Sequence, residues 1–310
     1  MVNIRAELKQ LYAESPVLTV TSLLMLGTFL ASVAGIFLDP RTITGMPAWL
    51  KPAKFGISTT IYGLTIAWLY RYIRVWRGRL RMAAWVMSMV VVIEIAIIDG
   101  QAARGVSSHF NNATALDRTL FGIMGASIAL LWLASLVVLG ALFKQKFENA
   151  AWGWALRLGM LITVVGSAMG GLMVTPTHDQ IEEMRAHQPA PVVGSHTVGA
   201  PDGGPGLPGV GWSTEHGDLR VPHFLGMHGV QLIPLFAWVF ARRRVSAVFI
   251  GAASYLALVA ILAWQALKGE PLVGPDGTTL AVVGVWAAAT AVAFIAALRR
   301  PERQAAVQGY

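Results

Sequence analysis

Eight long apolar runs dominate this chain and limit what it can fold into. A helix needs about 20 predominantly apolar residues to cross the hydrocarbon core of a bilayer. Runs that meet or approach this length span 17–38, 55–70, 82–98, 120–143, 154–174, 223–240, 247–267 and 280–298. The sequence therefore predicts an all-α fold, a polytopic membrane bundle of eight transmembrane helices in which residues 1–310 form a single transmembrane domain.

The composition agrees with a membrane protein and excludes several other classes. Hydrophobic residues make up 55% of the chain and charged residues only 13%, whereas soluble domains are about one quarter charged. The chain has no cysteine, so it has no disulfide framework, thiol nucleophile or cysteine-ligated metal. Walker, H-E-x-x-H and G-x-S-x-G motifs are also absent from the sequence, which disfavours nucleotide hydrolysis and the common hydrolase folds.

The basic residues predict an orientation in the membrane. Lys and Arg are enriched in cytoplasmic loops. With a cytoplasmic N-terminus and eight spans, sixteen of the 24 basic residues fall in cytoplasmic segments. The pattern predicts an N-in/C-in topology, and it explains the net charge of +8 without a nucleic-acid partner.

One outer segment is long enough to form a structure of its own. Residues 175–222 connect the fifth and sixth predicted helices and contain an acidic stretch, 179–187, that predicts a short helix. A Gly/Pro-rich stretch follows it. A solvated linker is one interpretation, but Trp212 would be costly to expose, and long loops in compact proteins are commonly lids. A periplasmic cap over the outer face is the favoured prediction.

Glu94 is the most unusual residue of the apolar runs. It lies about 6 Å below the outer end of the third predicted helix, where an ionisable group costs a few kcal/mol unless it is paired or faces a cavity. A buried, hydrogen-bonded acid is one interpretation; a proton carrier, general base or ligand is the other. Glu94 and Arg104 are the candidate catalytic residues. They would lie about 15 Å apart along a helix, so Arg104 is expected to pair with Asp99 or an outer acid.

All seven histidines fall on the outer side of the predicted bundle or in its outer half. Imidazole ligands suit zinc, copper and haem iron, and neutral imidazoles also relay protons. His223 and His228 are five residues apart and would point about 140° away from each other on a regular helix, so joint ligation requires a distorted turn at Pro222 or Gly226. The candidate metal ligands are His109, His223, His228 and Asp218. The candidate cofactor-binding residues are Gln101, Gln231 and Arg220.

Three stretches carry a resemblance to known proteins: 51–55 (Lys-Pro-Ala-Lys-Phe), 101–111 and 217–231. Together they resemble a group of bacterial multi-pass membrane proteins. The resemblance implies a bacterial inner-membrane location and supplies no activity and no ligand.

Three functions remain open from the sequence. The first is a metal- or haem-binding membrane protein with a redox or hydrolytic role, haem or a divalent transition metal being the candidate cofactors. The second is a proton-coupled transporter or channel using Glu94 and His228. The third is an assembly or sensor subunit that docks through the outer loop. The lipid bilayer is the expected environment, and a lipid, a quinone or a small periplasmic molecule is the candidate substrate.

Overall fold

The structure is a computed structural model that describes residues 3–242 and 244–299, apart from the side chain of residue 298. Within these residues the fold is helical, with two short antiparallel hairpins. The helices are α1 (Ile4–Glu14), α2 (Pro16–Leu38), α3 (Leu50–Tyr70), α4 (Arg77–Arg104), α5 (Ala115–Lys144), α6 (Ala150–Ala168), α7 (Gly170–Met173), α8 (His178–Arg185), α9 (Arg220–Met227), α10 (Gly229–Phe240), α11 (Val245–Leu267) and α12 (Gly277–Arg299). The strands are β1 (Thr42–Ile43), β2 (Met46–Pro47), β3 (Thr197–Val198) and β4 (Gly217–Asp218).

Several of these helices can cross a membrane. In the described residues, six helical segments are long and apolar enough, and α9 with α10 forms a seventh if this pair, bent by 51°, is one span. The predicted run 55–70 lies in α3, which has 21 residues but is not among the apolar candidates. A multi-pass membrane fold is therefore supported, while the count of eight and the N-in/C-in topology stay predictions. Arg243, Arg300 and Arg303, which the orientation prediction counts, lie outside the described residues.

The helix ends follow from local chemistry. Thr114 caps α5 by accepting a hydrogen bond from Asp117 N at 3.1 Å. Pro16 is the first residue of α2, a position at which the backbone N–H that proline lacks would have no partner within the helix. Thr177 and Gln180 form a reciprocal capping box at the start of α8. The short predicted helix at 179–187 thus exists, with its bounds shifted toward the N-terminus.

The two ends of the bundle differ in character. The loop face is the end where the segments 39–49, 105–114, 174–219 and 268–276 join the helices; the basic face is the opposite end, with Arg71, Arg77 and Arg242. The largest buried cluster packs α3, α4, α5 and α6 together toward the basic face. Ion pairs of Glu7 with Arg71 at 2.9 Å and of Glu14 with Arg77 at 3.4 Å hold α1 against this face.

The segment between α7 and α9 folds over the loop face. β3 and β4 pair with each other. Val192 forms an isolated antiparallel β-bridge with Asn111, which lies in the loop between α4 and α5. Gln180 donates to Gly194 O at 3.1 Å and accepts from Gly194 N at 2.8 Å, so α8 is fixed to the same segment. We call residues 174–219 the cap.

α6 packs against α9 and α10 backbone to backbone. A Cβ added at Gly166 would lie 2.4 Å from the Cα of Gly226, and one added at Gly159 would lie 2.8 Å from the carbonyl oxygen of Gly229. Only glycine allows approach this close, as in small-residue interfaces of membrane helices. The chain bends by 51° between α9 and α10, at His228. Gly226 of α9 and Gly229 of α10 both contact α6, so each half of the bent pair keeps a close contact with this helix.

Candidate functional site

Four nitrogen-bearing side chains from separate elements interact electrostatically at the loop face. They are Lys51 in the first turn of α3, His109 in the loop after α4, His196 in the cap and His223 in α9. Electrostatic interactions link Lys51 to His109 and His196, and His196 to His109 and His223. Each side chain keeps part of its surface accessible. We call this group the loop-face pocket.

His196 is held in one orientation by Asp202. The imidazole Nδ1 lies 2.6 Å from Asp202 Oδ2. The same carboxylate accepts hydrogen bonds from Ser195 Oγ at 3.0 Å and from the backbone N–H of Thr197 at 2.9 Å. Nothing in the described part of the chain hydrogen-bonds to Nε2 of His196. Because Nδ1–H donates to the carboxylate, Nε2 carries the free lone pair.

Aromatic rings surround the two loop imidazoles. The ring centroid of His109 lies 5.7 Å from that of Phe55, and the centroid of His196 lies 4.7 Å from that of Phe110. Phe110 is 4% exposed and also packs edge-on against Phe121 at 5.8 Å. These rings make one wall of the pocket apolar, so the polar atoms within it are poorly hydrated.

His223 completes the pocket from the helix side. Its Nδ1 donates to the carbonyl oxygen of Gly166 at 2.8 Å, which leaves Nε2 without a hydrogen bond in the described residues. A Cβ on Gly170 would lie 3.2 Å from the imidazole Cε1. The absence of a side chain at Gly170 therefore makes room for His223 against the end of α6.

The electrostatics of the pocket favour neutral imidazoles beside an ionised carboxylate. Burial lowers the pKa of His109 well below its ordinary value, and the nearby Lys51 lowers it further. Burial also lowers the pKa of His196, and the bond to Asp202 opposes this only in part. Burial alone would raise the pKa of Asp202, but the hydrogen bonds and charge of His196 hold it below the usual range. A neutral His oriented by a carboxylate is the arrangement of a general base.

The lowered histidine pKa values predict acid sensitivity. Below about pH 6.5 the unfolded chain binds protons at these positions more readily than the folded chain, so the free energy of unfolding falls as the pH drops. The loss should approach about 1.4 kcal/mol per pH unit for His109, whose pKa lies well below its ordinary value. We expect the unfolding temperature in detergent to fall between pH 7 and pH 5, and less steeply in His109→Gln than in the matched surface variant His178→Gln. An equal slope in both variants would contradict this.

Glu94 lies below this pocket in α4. It is 3% exposed, and neither carboxyl oxygen has a hydrogen-bond partner within the described residues. The cation whose electrostatic influence reaches it is Lys51. Glu94 is therefore linked electrostatically to Lys51 of the loop-face pocket. The sequence analysis did not single out Lys51 as a site residue.

Gln101 and Arg104 lie elsewhere and bind Asp117. Asp117 Oδ1 accepts from Gln101 Nε2 at 2.9 Å and from Arg104 Nη1 at 2.8 Å, and Arg104 also donates to the Gln101 side-chain oxygen. The predicted catalytic pair of Glu94 and Arg104 is not brought together. The partner of Arg104 is an outer acid, and the three side chains join the end of α4 to the start of α5.

Asp117→Asn should therefore weaken the protein. The variant removes the negative charge opposite Arg104, and it replaces Oδ2, which accepts from Thr114 Oγ1 at 2.6 Å, by an NH₂ group that cannot accept. We expect a loss of about 1–3 kcal/mol in the free energy of unfolding, measured by denaturant titration in detergent. Arg118→Gln, a charge change one residue away, serves as the control. Unchanged stability of Asp117→Asn would show that the contacts of Asp117 with Arg104 and Thr114 contribute nothing to the free energy of unfolding.

The predicted metal ligands do not gather around one point. Asp218 is 2% exposed, and its carboxylate accepts from the Ser213 backbone at 2.8 Å and from Arg220 at 2.5 Å. The His228 ring packs against Phe224 in a tilted arrangement, with centroids 4.2 Å apart, and donates to the Phe224 carbonyl. Across residues 3–242 and 244–299, no group of three or more His, Cys, Asp or Glu is placed to hold a metal ion. The metal and haem predictions therefore have no geometric support.

The three predicted cofactor-binding residues also lie apart. Gln101 belongs to the junction with Asp117, Arg220 to the ion pair with Asp218, and Gln231 to α10, where its Nε2 donates to Thr65 Oγ1 at 3.2 Å.

Sequence reasoning missed Lys51 and Asp202. A signal for Asp202 was present, since an Asp shortly after a Ser-His-Thr run in a Gly-rich segment readily accepts local backbone hydrogen bonds. Lys51 lay in one of the stretches that carried the resemblance, but nothing in its spacing connected it to His196.

Comparison of the chain with protein-family models, with curated proteins and with solved structures finds no match.

Proposed function

We propose that this protein is a membrane-embedded hydrolase that cleaves an ester of a membrane amphiphile at its loop face. The observation that supports the proposal is the Asp202–His196 pair, in which Nε2 of His196 has no hydrogen-bond partner in the described residues and which interacts electrostatically with Lys51. Such a pair orients and activates a general base. This keeps the hydrolytic role expected from the sequence and needs no metal.

The residues would act in a defined order. Nε2 of His196 takes a proton from water as the water oxygen attacks the ester carbonyl carbon. The carbonyl oxygen gains the negative charge, which Lys51 in its protonated form stabilises. When the C–O bond to the alcohol breaks, the imidazolium returns its proton to the leaving oxygen, so the products are a carboxylic acid and an alcohol.

The pocket chemistry favours a carboxylic ester over a phosphate ester. One lysine ammonium matches the single charge that develops on an acyl oxyanion, whereas phosphoryl groups are commonly bound by arginine forks or metal ions. The partly exposed rings of Phe55 and Phe121 are suited to contact with a hydrocarbon chain. A position at the end of a helix bundle is suited to a substrate that partitions into the bilayer.

The location belongs to the same proposal. We place the protein in a bacterial inner membrane with eight spans, α3 included, and with the loop face toward the periplasm. α3 supports this because 21 helical residues extend about 31 Å, and because the basic residues cluster at the opposite face.

The test is hydrolysis by the purified protein in lipid nanodiscs. Candidate substrates are p-nitrophenyl esters of four to twelve carbons and dioleoylphosphatidylcholine. We expect His196→Gln to reduce the rate by at least about 100-fold, while His178→Gln, which changes a side chain that is 82% exposed, keeps it. Equal rates in wild type and His196→Gln, or no hydrolysis of any ester by the wild type, would refute the proposal.

A second candidate function is proton-coupled transport, and one observation favours it. The buried carboxyl of Glu94 has no hydrogen-bond partner in the described residues, as expected of a group that exchanges protons. His228 adds no support, since its ring packs against Phe224 and its Nδ1 donates to the Phe224 carbonyl. Glu94→Gln should abolish proton uptake by proteoliposomes if transport is the function, and should leave ester hydrolysis within a few-fold if hydrolysis is.

A further inference from the structure

A groove of about 980 Å³ opens on the opposite half of the bundle, toward the basic face. It lies between the second half of α3, the start of α6 and α10. Pockets that bind small molecules have this size, with apolar and aromatic walls and few polar groups. We call it the basic-face groove.

The walls of this groove are open to the lipid. Leu235 is 54% exposed and Trp238 is 57% exposed, and both line it. Arg242 at its mouth is the one charged side chain among the described residues that line it. The groove therefore suits a neutral, lipid-soluble molecule that enters sideways from the bilayer.

Gln231 supplies a polar group deep in this apolar groove. It lies nine residues before the end of α10, about 13 Å along the helix. Its side-chain oxygen is buried and has no hydrogen-bond partner in the described residues. An unsatisfied polar atom in a membrane interior costs several kcal/mol, so a bound molecule that satisfies it gains a directional contact.

The hydrogen bonds of Thr65 show that the nitrogen of the Gln231 amide is bonded and its oxygen is not. The Thr65 hydroxyl donates to Ile61 O at 2.7 Å, so it can only accept from Gln231, and it does so from Nε2 at 3.2 Å. The oxygen of Gln231 is left for a donor from elsewhere. The last torsion of a glutamine side chain is broad, which lets the amide turn toward an occupant of the groove.

We propose that the basic-face groove binds a neutral, membrane-soluble molecule whose hydroxyl head donates a hydrogen bond to the side-chain oxygen of Gln231. The hydrocarbon part lies against Leu64 and Leu235 and leaves the groove between α3 and α10. Isoprenoid quinols have this chemistry, and so do diacylglycerols, whereas a quinone has no hydroxyl to donate. This site is separate from the loop-face pocket and does not depend on ester hydrolysis.

The test measures binding of three probes to the protein in nanodiscs: decyl-ubiquinol, decyl-ubiquinone and dioleoylglycerol. Trp68, Trp152 and Trp238 line the groove, so quenching of tryptophan fluorescence reports the two quinone probes, and a shift in unfolding temperature reports all three. Gln231→Leu keeps the side-chain bulk and removes the amide. Ser254→Ala removes a polar group from a second groove, between α10, α11 and α12, and is the matched control.

We expect saturable binding of decyl-ubiquinol, dioleoylglycerol or both to the wild type and to Ser254→Ala, and binding about tenfold weaker to Gln231→Leu, the value for one lost hydrogen bond. Decyl-ubiquinone, which has no hydroxyl to donate, should bind equally to the wild type and to Gln231→Leu. Gln231→Leu without a probe should be as stable as the wild type, since it removes an unsatisfied group. Comparison of the two hydroxyl probes separates a quinol from a diacylglycerol as the ligand. Failure of both hydroxyl probes to bind, or equal affinity of the bound hydroxyl probe for wild type and Gln231→Leu, would overturn the proposal.

Discussion

Asp202→Asn is expected to slow ester hydrolysis by about 10²–10⁴-fold in a protein that still folds. The asparagine amide would present an N–H to Nδ1 of His196, where the carboxylate presents an oxygen at 2.6 Å. The imidazole would then carry its proton on Nε2 and lose the lone pair that acts as the base. Loss of rate through the wrong tautomer is known from serine-protease triads.

Two measurements distinguish this from simple destabilisation. Nitrogen NMR of labelled histidine should show the proton of His196 on Nδ1 in the wild type and on Nε2 in Asp202→Asn. Asp179→Asn, which changes a side chain that is 96% exposed, should keep both the rate and the tautomer. A wild-type rate in Asp202→Asn, or an unchanged tautomer, would remove Asp202 from the mechanism.

Gly166→Val is expected to reduce the free energy of unfolding by about 3 kcal/mol or more, the upper part of the range for overpacked cores. A Cβ at this position meets the backbone of α9 at 2.3–2.6 Å, and backbone atoms cannot move aside as a flexible side chain can. Thermal unfolding in detergent measures the loss.

Gly122→Val is the matched control for this substitution. It makes the same chemical change in another long helix, α5, where an added Cβ meets nothing within 4 Å. We expect a change below about 0.5 kcal/mol there, in line with substitutions that meet no neighbour. Equal loss in both variants would show that the effect belongs to valine in a helix and not to the contact of α6 with α9.

Much of the bundle could be predicted from periodicity and hydropathy alone. The runs 17–38 and 247–267 differ from α2 and α11 by one or two residues, because a long uncharged segment has few alternatives to a helix. α4 is longer at both ends than its run, since Arg77 and Arg104 are polar and do not count as apolar, yet they continue the helix into the aqueous regions.

The site was harder to predict because it depends on tertiary folding. The angle of about 140° between His223 and His228 holds for a regular helix. The chain bends by 51° between α9 and α10, at His228, so this angle does not describe the structure. His196 and Asp202 meet through a local turn in the cap, whereas Lys51 reaches them from a helix more than 140 residues earlier. Hydrophobic patterns carry no information about such a contact.

The bend at His228 has a mechanical consequence. His223 lies just before the bend and beneath the cap, and Gln231 lies just after it on the wall of the basic-face groove. The two side chains are eight residues apart and lie on the two halves of the bent pair, each half held against α6 by a glycine contact. A change in the angle between α9 and α10 would therefore move His223 relative to Gln231.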